Sequence, residues 1–313
     1  MKLFWIAGIA LMGVFFFFSL FGYFCFLHAC KRKRRYPADR TEHGGGGAIP
    51  EAGLAILRES RAWFDGQSFE TVSVLAADGF RLKGLLLSAE GEGKGVCILF
   101  HGYHSSCRRD LSVQAMTLHR AGYHLILASQ RSHGESEGKY IGFGALERRD
   151  VNVWCCLAGK RFGALSVALF GLSMGGATVL MSLNTGLPDS LRCVIADCPF
   201  TSPWEIIHNT LWHKHKIPPY PTIYFMNYWS RILAGYDFRE CSTPKSLKEN
   251  RLPVLLIHGE EDRYVPTEMS RRAAEGNDRV TLMTVPHAKH AQSVYFDPHG
   301  YMNQVLSFLN EYF

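Results

Sequence analysis

Apolar and polar residues are arranged along this chain in three regimes. From Leu3 to Ala29 no Asp, Glu, Lys or Arg interrupts an apolar run that reads LFWIAGIALMGVFFFFSLFGYFCFL over most of its length. Such a stretch exceeds the ~20 residues a helix needs to cross a bilayer. A polar, Gly-rich stretch, ADRTEHGGGGAIP, follows, and after it short apolar runs alternate with helical patterns to the end. FETVSVLAADGFRLKGLLLSA reads as two strands about a turn at Asp78-Gly79. Further strands are predicted at 95–100 (GVCILF), 123–129 (YHLILAS), 166–171 (SVALFG), 192–197 (RCVIAD), 253–259 (PVLLIHG) and 280–285 (VTLMTV). Helical spacing falls near 109–121, 143–160, 175–185, 266–275 and 300–312. Apolar strands alternating with amphipathic helices imply an α/β fold, a mostly parallel sheet covered on both faces. In such sheets the reacting groups gather beyond the carboxyl ends of the strands.

The first regime reads as a membrane anchor. Trp5 near one end and Tyr23 towards the other suit the interfacial aromatic belt. A cleaved signal peptide wants a shorter apolar core, a basic start and a small-x-small exit. Here only Lys2 precedes the run and KRKRRY follows it, which favours an uncleaved anchor. The basic run Lys31 to Arg35 against the single Lys2 places the body on the cytoplasmic side, with the run as a stop-transfer flank. The expected organisation is therefore an anchor at 1–30, a basic and Gly-rich linker at 31–50 that lets the body move relative to its anchor, and one domain at 51–313. A length of 313 residues is compatible with a single α/β domain.

Composition adds two exclusions. The formal net charge is +6, but Lys31 to Arg35 carry five of those charges, so a nucleic-acid partner is not supported. The nine cysteines are odd in number, include the adjacent pair Cys155-Cys156, and form no C-x-x-C. Several sit in apolar runs, which suits buried free thiols in a reducing compartment and argues against a cysteine-built zinc or redox site.

Chemistry concentrates at predicted strand ends. In ALFGLSMGGATVL, Ser173 follows a strand and precedes a helix, flanked by Gly171, Gly175 and Gly176, which permit the tight turn of a nucleophile elbow. The helix start after it directs backbone N–H groups at developing negative charge. In LFHGYHSS, the N–H of Tyr103 could pair with that of Met174 as an oxyanion hole. In LLIHGEEDRYVP, Asp262 sits just beyond a strand, where an acid can fix the tautomer of a histidine; Glu260 and Glu261 compete, and the placement before Val265-Pro266 favours Asp262. VPHAKHAQS offers two bases, His287 and His290. The order Ser, Asp, His is the one α/β-hydrolases use.

From about residue 66 to the end the chain resembles the α/β-hydrolase superfamily. Within it, the chain resembles small membrane-anchored bacterial members related to prolyl-oligopeptidase-like and serine-aminopeptidase-like hydrolases. HGYHSS, QRSHGESEGKYIGFGALERRD, GLSMGGAT, AGYDF, HGEEDRYVP and AKHAQS carry the resemblance. It implies an α/β-hydrolase sheet with a cap, Ser173 as nucleophile, Asp262 as acid and, through the H-A-x-S ending, His290 as base. Arg131, His133 and Gly134 match the family's bracing motif, which makes His133 structural. The family usually has Asp before the Gln-Arg-x-His-Gly segment; Ser129 stands there, which puts local loop bracing in doubt.

Region 201–245 is rich in aromatics and interrupts the sheet pattern, so it reads as a cap supplying an apolar acyl or alcohol pocket. His208, His213 and His215 raise a metal reading, but Glu205 is the only acid close by and lysines neighbour the histidines; no metal and no cofactor is expected. The expected activity is hydrolysis of a lipophilic carboxylic ester through an acyl-enzyme, with a small-molecule or lipid ester and the membrane as partners. A peptidase, amidase or thioesterase would use the same three residues. A membrane-tethered binding protein on a hydrolase scaffold is the non-enzymatic alternative, against which the complete triad argues.

Overall fold

The computed structural model describes residues 1–33 and 48–313, so Arg34, Arg35 and most of the expected linker lie outside the described residues. The chain opens with helices α1 (Lys2–Cys30) and α2 (Glu51–Asp65), then the hairpin β1 (Glu70–Leu75) and β2 (Arg81–Leu87). β3 (Val96–Phe100), α3 (Cys107–Asp110), α4 (Ser112–Arg120), β4 (His124–Ala128) and α5 (Val151–Phe162) follow. Next come β5 (Val167–Leu172), α6 (Met174–Met181), β6 (Leu191–Asp197), α7 (Pro203–Asn209), α8 (Pro219–Ala234) and α9 (Thr243–Glu249). The last elements are β7 (Val254–Gly259), α10 (Glu268–Ala274), β8 (Val280–Val285), α11 (Ser293–Phe296) and α12 (Pro298–Tyr312).

The strands form one sheet in the order β1-β2-β4-β3-β5-β6-β7-β8. β1 with β2, and β2 with β4, pair antiparallel; every other pair is parallel. All residues of β3, β4, β5 and β7 are buried, as strands covered on both faces must be. Neighbours along a strand feed opposite layers. Leu99 packs with Leu125 and Phe170 on one face, while Ile98 packs with Ile126 and Trp154 on the other. The predicted turn at Asp78-Gly79 joins β1 to β2, with Gly79 at φ +86°.

The pattern departs from expectation in three places. Helix α2 was not anticipated; its buried positions Gly53, Leu57, Ser60 and Phe64 repeat at helical spacing against the body. The helix expected over 143–160 starts only at Val151, because Phe143 (φ 50°) and Gly144 (φ 87°) break the backbone and Glu147 accepts the N–H groups of Gly142 and Gly144. The third concerns α1. It is long and apolar enough to cross a membrane, yet its C-terminal half does not hang free: Gly22, Phe26 and Cys30 are buried against the body. The helix expected to move on its linker lies against α8.

The cap over 201–245 consists of α7, a π-helical turn at Thr210–Lys214, α8 and the start of α9. Its apolar side merges with Phe26 of α1, Phe143 and Met174 into one cluster beside the carboxyl ends of the strands.

Candidate active site

The turn between β5 and α6 is built by glycine. A Cβ at Gly171 would fall 2.2 Å from the carbonyl oxygen of Gly175, and one at Gly175 would fall 2.0 Å from that of Phe100. Only with both side chains absent can the strand double back so tightly into the helix. Ser173 stands at the apex with φ 55° and ψ −113°, a sparsely populated conformation of the kind that costs about 1–3 kcal/mol. Its N–H donates to the carbonyl of Asp197 at 2.8 Å, tying the turn to the end of β6.

Three sequence-predicted side chains meet at this apex. Ser173 Oγ lies 2.9 Å from His290 Nε2, and His290 Nδ1 lies 2.6 Å from Asp262 Oδ2. Asp262 Oδ1 accepts the backbone N–H groups of Tyr264 (2.9 Å) and Val265 (2.8 Å). Burial opposes the charge on Asp262, but its electrostatic interaction with His290 and hydrogen bonds from His258 and His290 outweigh it and hold the carboxyl well below its usual range. An ionised carboxylate only accepts, so His290 carries its proton on Nδ1 and turns the Nε2 lone pair to the serine hydroxyl. The Tyr264 ring stands edge-on to the imidazole at 4.9 Å. The three groups follow β5, β7 and β8, at the carboxyl edge of the sheet.

The competing residues are engaged elsewhere. His287 is exposed, with Nδ1 3.2 Å from Glu261 Oε1. Glu260 accepts the hydroxyl of Thr284. The His208 ring packs on Tyr220 and that of His215 on His28. Among the described residues the one group compact enough for a metal ion is Cys198, Asp262 and His290. Two of its members already bind one another, and burial pushes the Cys198 thiol well up, which leaves it a poor ligand.

The turn after β3 closes the other side of the serine. A Cβ at Gly102 would lie 3.5 Å from Ser173 Cβ, and the Gly102 N–H donates to Asp110 Oδ2 at 2.7 Å. Tyr103 follows Gly102, and Met174, the first residue of α6, follows the serine directly. A network of neutral histidines braces this turn. His101 Nδ1–H donates to the Gly102 carbonyl (2.8 Å), and Nε2 accepts the N–H of Gln130 (3.2 Å). His133 Nδ1–H donates to the Arg131 carbonyl (2.9 Å), and Nε2 accepts the N–H of His104 (3.1 Å). Burial lowers the pKa of both rings, that of His133 well below the ordinary value. Arg131 grips Asp150 through two bonds (2.6 and 2.5 Å) and also reaches Asp78. Ser129, in the place of the family's Asp, donates to the His133 carbonyl at 3.2 Å, so the loop is braced there by a hydroxyl.

Sequence reasoning missed the supporting residues. Asp197 is fully buried, accepts the hydroxyl of Tyr301 at 2.9 Å, and burial pushes its carboxyl up to about 6. Its signal was an acid closing an otherwise apolar strand. Asp78 and Asp150, the partners of Arg131, had no such signal: their pairing is settled by topology across the sheet.

Two spaces border the site. A cavity of ≈ 380 Å³ lies between α1, the cap and the rings of Tyr103 and Tyr264, with Ile207, Leu211 and Met226 among its walls. On the other side, a cleft of ≈ 670 Å³ touches His290, Lys214, Arg263 and Lys289.

Comparison with known proteins agrees with this architecture. A family profile described as "Serine aminopeptidase, S33" matches residues 91–233. The protein YqkD of Bacillus subtilis (strain 168) is 28% identical over 251 residues, covering 78% of this chain and 82% of that one. Human Protein ABHD12B is 24% identical over 212 residues, covering 62% of this chain and 55% of that one. Among solved structures, the Pyrococcus furiosus esterase Pf2001 superposes with a TM-score of 0.63 at 22% identity, covering 78% of this chain and 91% of that one. The esterase RhEst1 from Rhodococcus sp. ECU1013 gives 0.57 at 16% identity, over 78% and 99%.

Proposed function

We propose, from the premise that this chain is a member of the α/β-hydrolase superfamily, that it is a membrane-anchored serine hydrolase of lipophilic carboxylic esters. The observation that carries this reading is the unbroken hydrogen-bonded chain from Ser173 through His290 to Asp262. His290 takes the hydroxyl proton as Ser173 Oγ attacks the ester carbonyl. Asp262 stabilises the imidazolium that forms. The oxyanion is received by the N–H groups of Tyr103 and Met174 at the start of α6. His290 then protonates the departing alcohol, and water, activated by the same ring, hydrolyses the acyl-enzyme.

The two spaces beside the relay suit the two halves of such an ester. The mostly apolar cavity, which Lys33, Lys214, His28 and His215 also line, suits an acyl chain, and the polar cleft along His290 suits the alcohol and the incoming water. Residues 1–30 serve as anchor and 31–50 as linker, with 51–313 as the catalytic domain and 201–245 as its cap. The cations after α1 set that domain on the cytoplasmic side. Ser173→Ala should reduce turnover of a p-nitrophenyl ester by about 10⁶-fold; a variant with activity near wild type would remove Ser173 from the role.

A further inference from the structure

A simple tether would leave the body indifferent to how its helix is turned. Here the helix is fixed in rotation. Phe18 and the buried Gly22, Phe26 and Cys30 repeat at four-residue spacing on the face of α1 turned to the body. The approach is close: a Cβ at Gly22 would lie 2.4 Å from Phe225 Cβ of α8. Polar contacts hold the register. Trp229 Nε1–H donates to the Ser19 carbonyl (2.9 Å), the Tyr103 hydroxyl to the Ala29 carbonyl (2.6 Å), and the Ile141 N–H to the Cys30 carbonyl (2.6 Å). These contacts present Phe24, Cys25, His28 and Ala29 to the ≈ 380 Å³ cavity. Across it stand Ile207 and Met226 of the cap. Tyr103, next to Gly102 of the turn against Ser173, and Tyr264, whose ring stands against His290, also line it.

The placement relative to a bilayer follows from length. The Phe15 ring of α1 already packs on Phe225 of α8 at 5.3 Å, and that leaves only ~20 Å of helix before the first contact with the body, short of the ~30 Å hydrocarbon core. The body is thereby drawn to the membrane surface. On α8, beside α1, Tyr220, Tyr224, Tyr228 and Ile232 are exposed at four-residue spacing, a stripe suited to the interface.

We infer that α1 is one wall of the acyl-chain site, that the chain of a membrane amphiphile ester lies between α1 and the cap, and that Cys25 and Ala29 set the chain length accepted. This rests on Ser173 being the nucleophile. The cavity has room for on the order of ten methylene-sized groups, taking ~30 Å³ for each as for water. Each methylene seated there should raise kcat/KM about fourfold, through burial of apolar surface.

The test uses the full chain in detergent micelles and compares kcat/KM for p-nitrophenyl esters of two, eight and twelve carbons. In Cys25→Trp and Ala29→Leu, which fill the cavity from the α1 side, the twelve-to-two-carbon ratio should fall by about 30-fold or more. In Cys25→Ala it should rise severalfold. Because each ratio is internal to one variant, a general loss of folding or activity does not produce these opposite shifts. Ratios that stay at the wild-type value in Ala29→Leu and Cys25→Ala would overturn the inference. Failure of the catalytic reading looks different: Ser173→Ala would then hydrolyse the two-carbon ester as fast as wild type.

Discussion

Replacing Asp262 with asparagine tests the relay at the bond that orients it. The carboxylate is held from two sides. Oδ1 receives the N–H groups of Tyr264 and Val265, while Oδ2 faces His290 Nδ1 at 2.6 Å and His258 Nε2 at 3.3 Å. An asparagine must place its carbonyl oxygen where the two backbone donors converge, since an NH₂ group there would face two N–H groups. Its NH₂ then occupies the Oδ2 position and points at His290 Nδ1. To accept that bond, the imidazole must move its proton to Nε2, 2.9 Å from Ser173 Oγ, where it can no longer take the serine proton. The geometry is nearly unchanged and the tautomer is wrong. In the serine-protease triad, the same Asp-to-Asn exchange costs about 10⁴ in kcat, equivalent to about 5 kcal/mol of barrier, and we expect a loss of that order here. The assay is kcat for a short p-nitrophenyl ester near neutral pH, with KM measured alongside. A loss below about tenfold, or one confined to KM, would refute the reasoning.

Other outcomes follow from the same contacts. His290→Ala should lose nearly as much kcat as Ser173→Ala, whereas His287→Ala, exposed and outside the relay, should stay within about threefold; the opposite ranking would reassign the base. Arg131→Met strands the buried Asp150 carboxylate and should cost about 3–5 kcal/mol in thermal or urea unfolding. Burial already raises the Asp150 carboxyl and Arg131 holds it down. Without the arginine its folded value lies further above the unfolded one, so the variant regains stability below pH ~4 and loses it as pH rises through that raised value. Equal deficits at pH 4 and 8 would contradict this. Gly22→Leu must push α1 off Phe225 and should cost about 1–3 kcal/mol in micelles, while Gly8→Leu, with nothing within 4 Å, should be silent. The depressed Asp262 carboxyl contributes stability above the unfolded value of about pH 3.9, lost as pH falls through its lower folded value. Acid unfolding of Asp262→Asn should lack that part of the slope.

The central strands were legible because they are covered on both faces. RCVIAD and PVLLIHG read as interior strands, and the structure has them at Leu191–Asp197 and Val254–Gly259. The juxtaposition of Ser173, Asp262 and His290 was legible for a related reason: each follows a parallel strand, β5, β7 or the edge strand β8, and a parallel sheet brings those ends to one edge. His290 was distinguished from His287 only by resemblance, since both lie in one loop and nothing local separates them. Non-local pairings were hidden. Arg131 finds Asp78 and Asp150 only once the sheet is assembled, and Asp197 finds Tyr301 across the last helix. The docking of α1 was hidden most deeply. An all-apolar helix has no amphipathic stripe to betray which face meets protein, and the sign of it is a single glycine, Gly22, at the crossing with α8.

Every proposed step depends on the hydroxyl at position 173 acting as a nucleophile activated by His290. A fluorophosphonate probe followed by peptide mass spectrometry measures that directly. A single phosphonyl adduct is expected on the peptide bearing Ser173, formed at least 10³-fold more slowly in His290→Ala. An adduct on another residue, or labelling of Ser173 at an unchanged rate without His290, would contradict it.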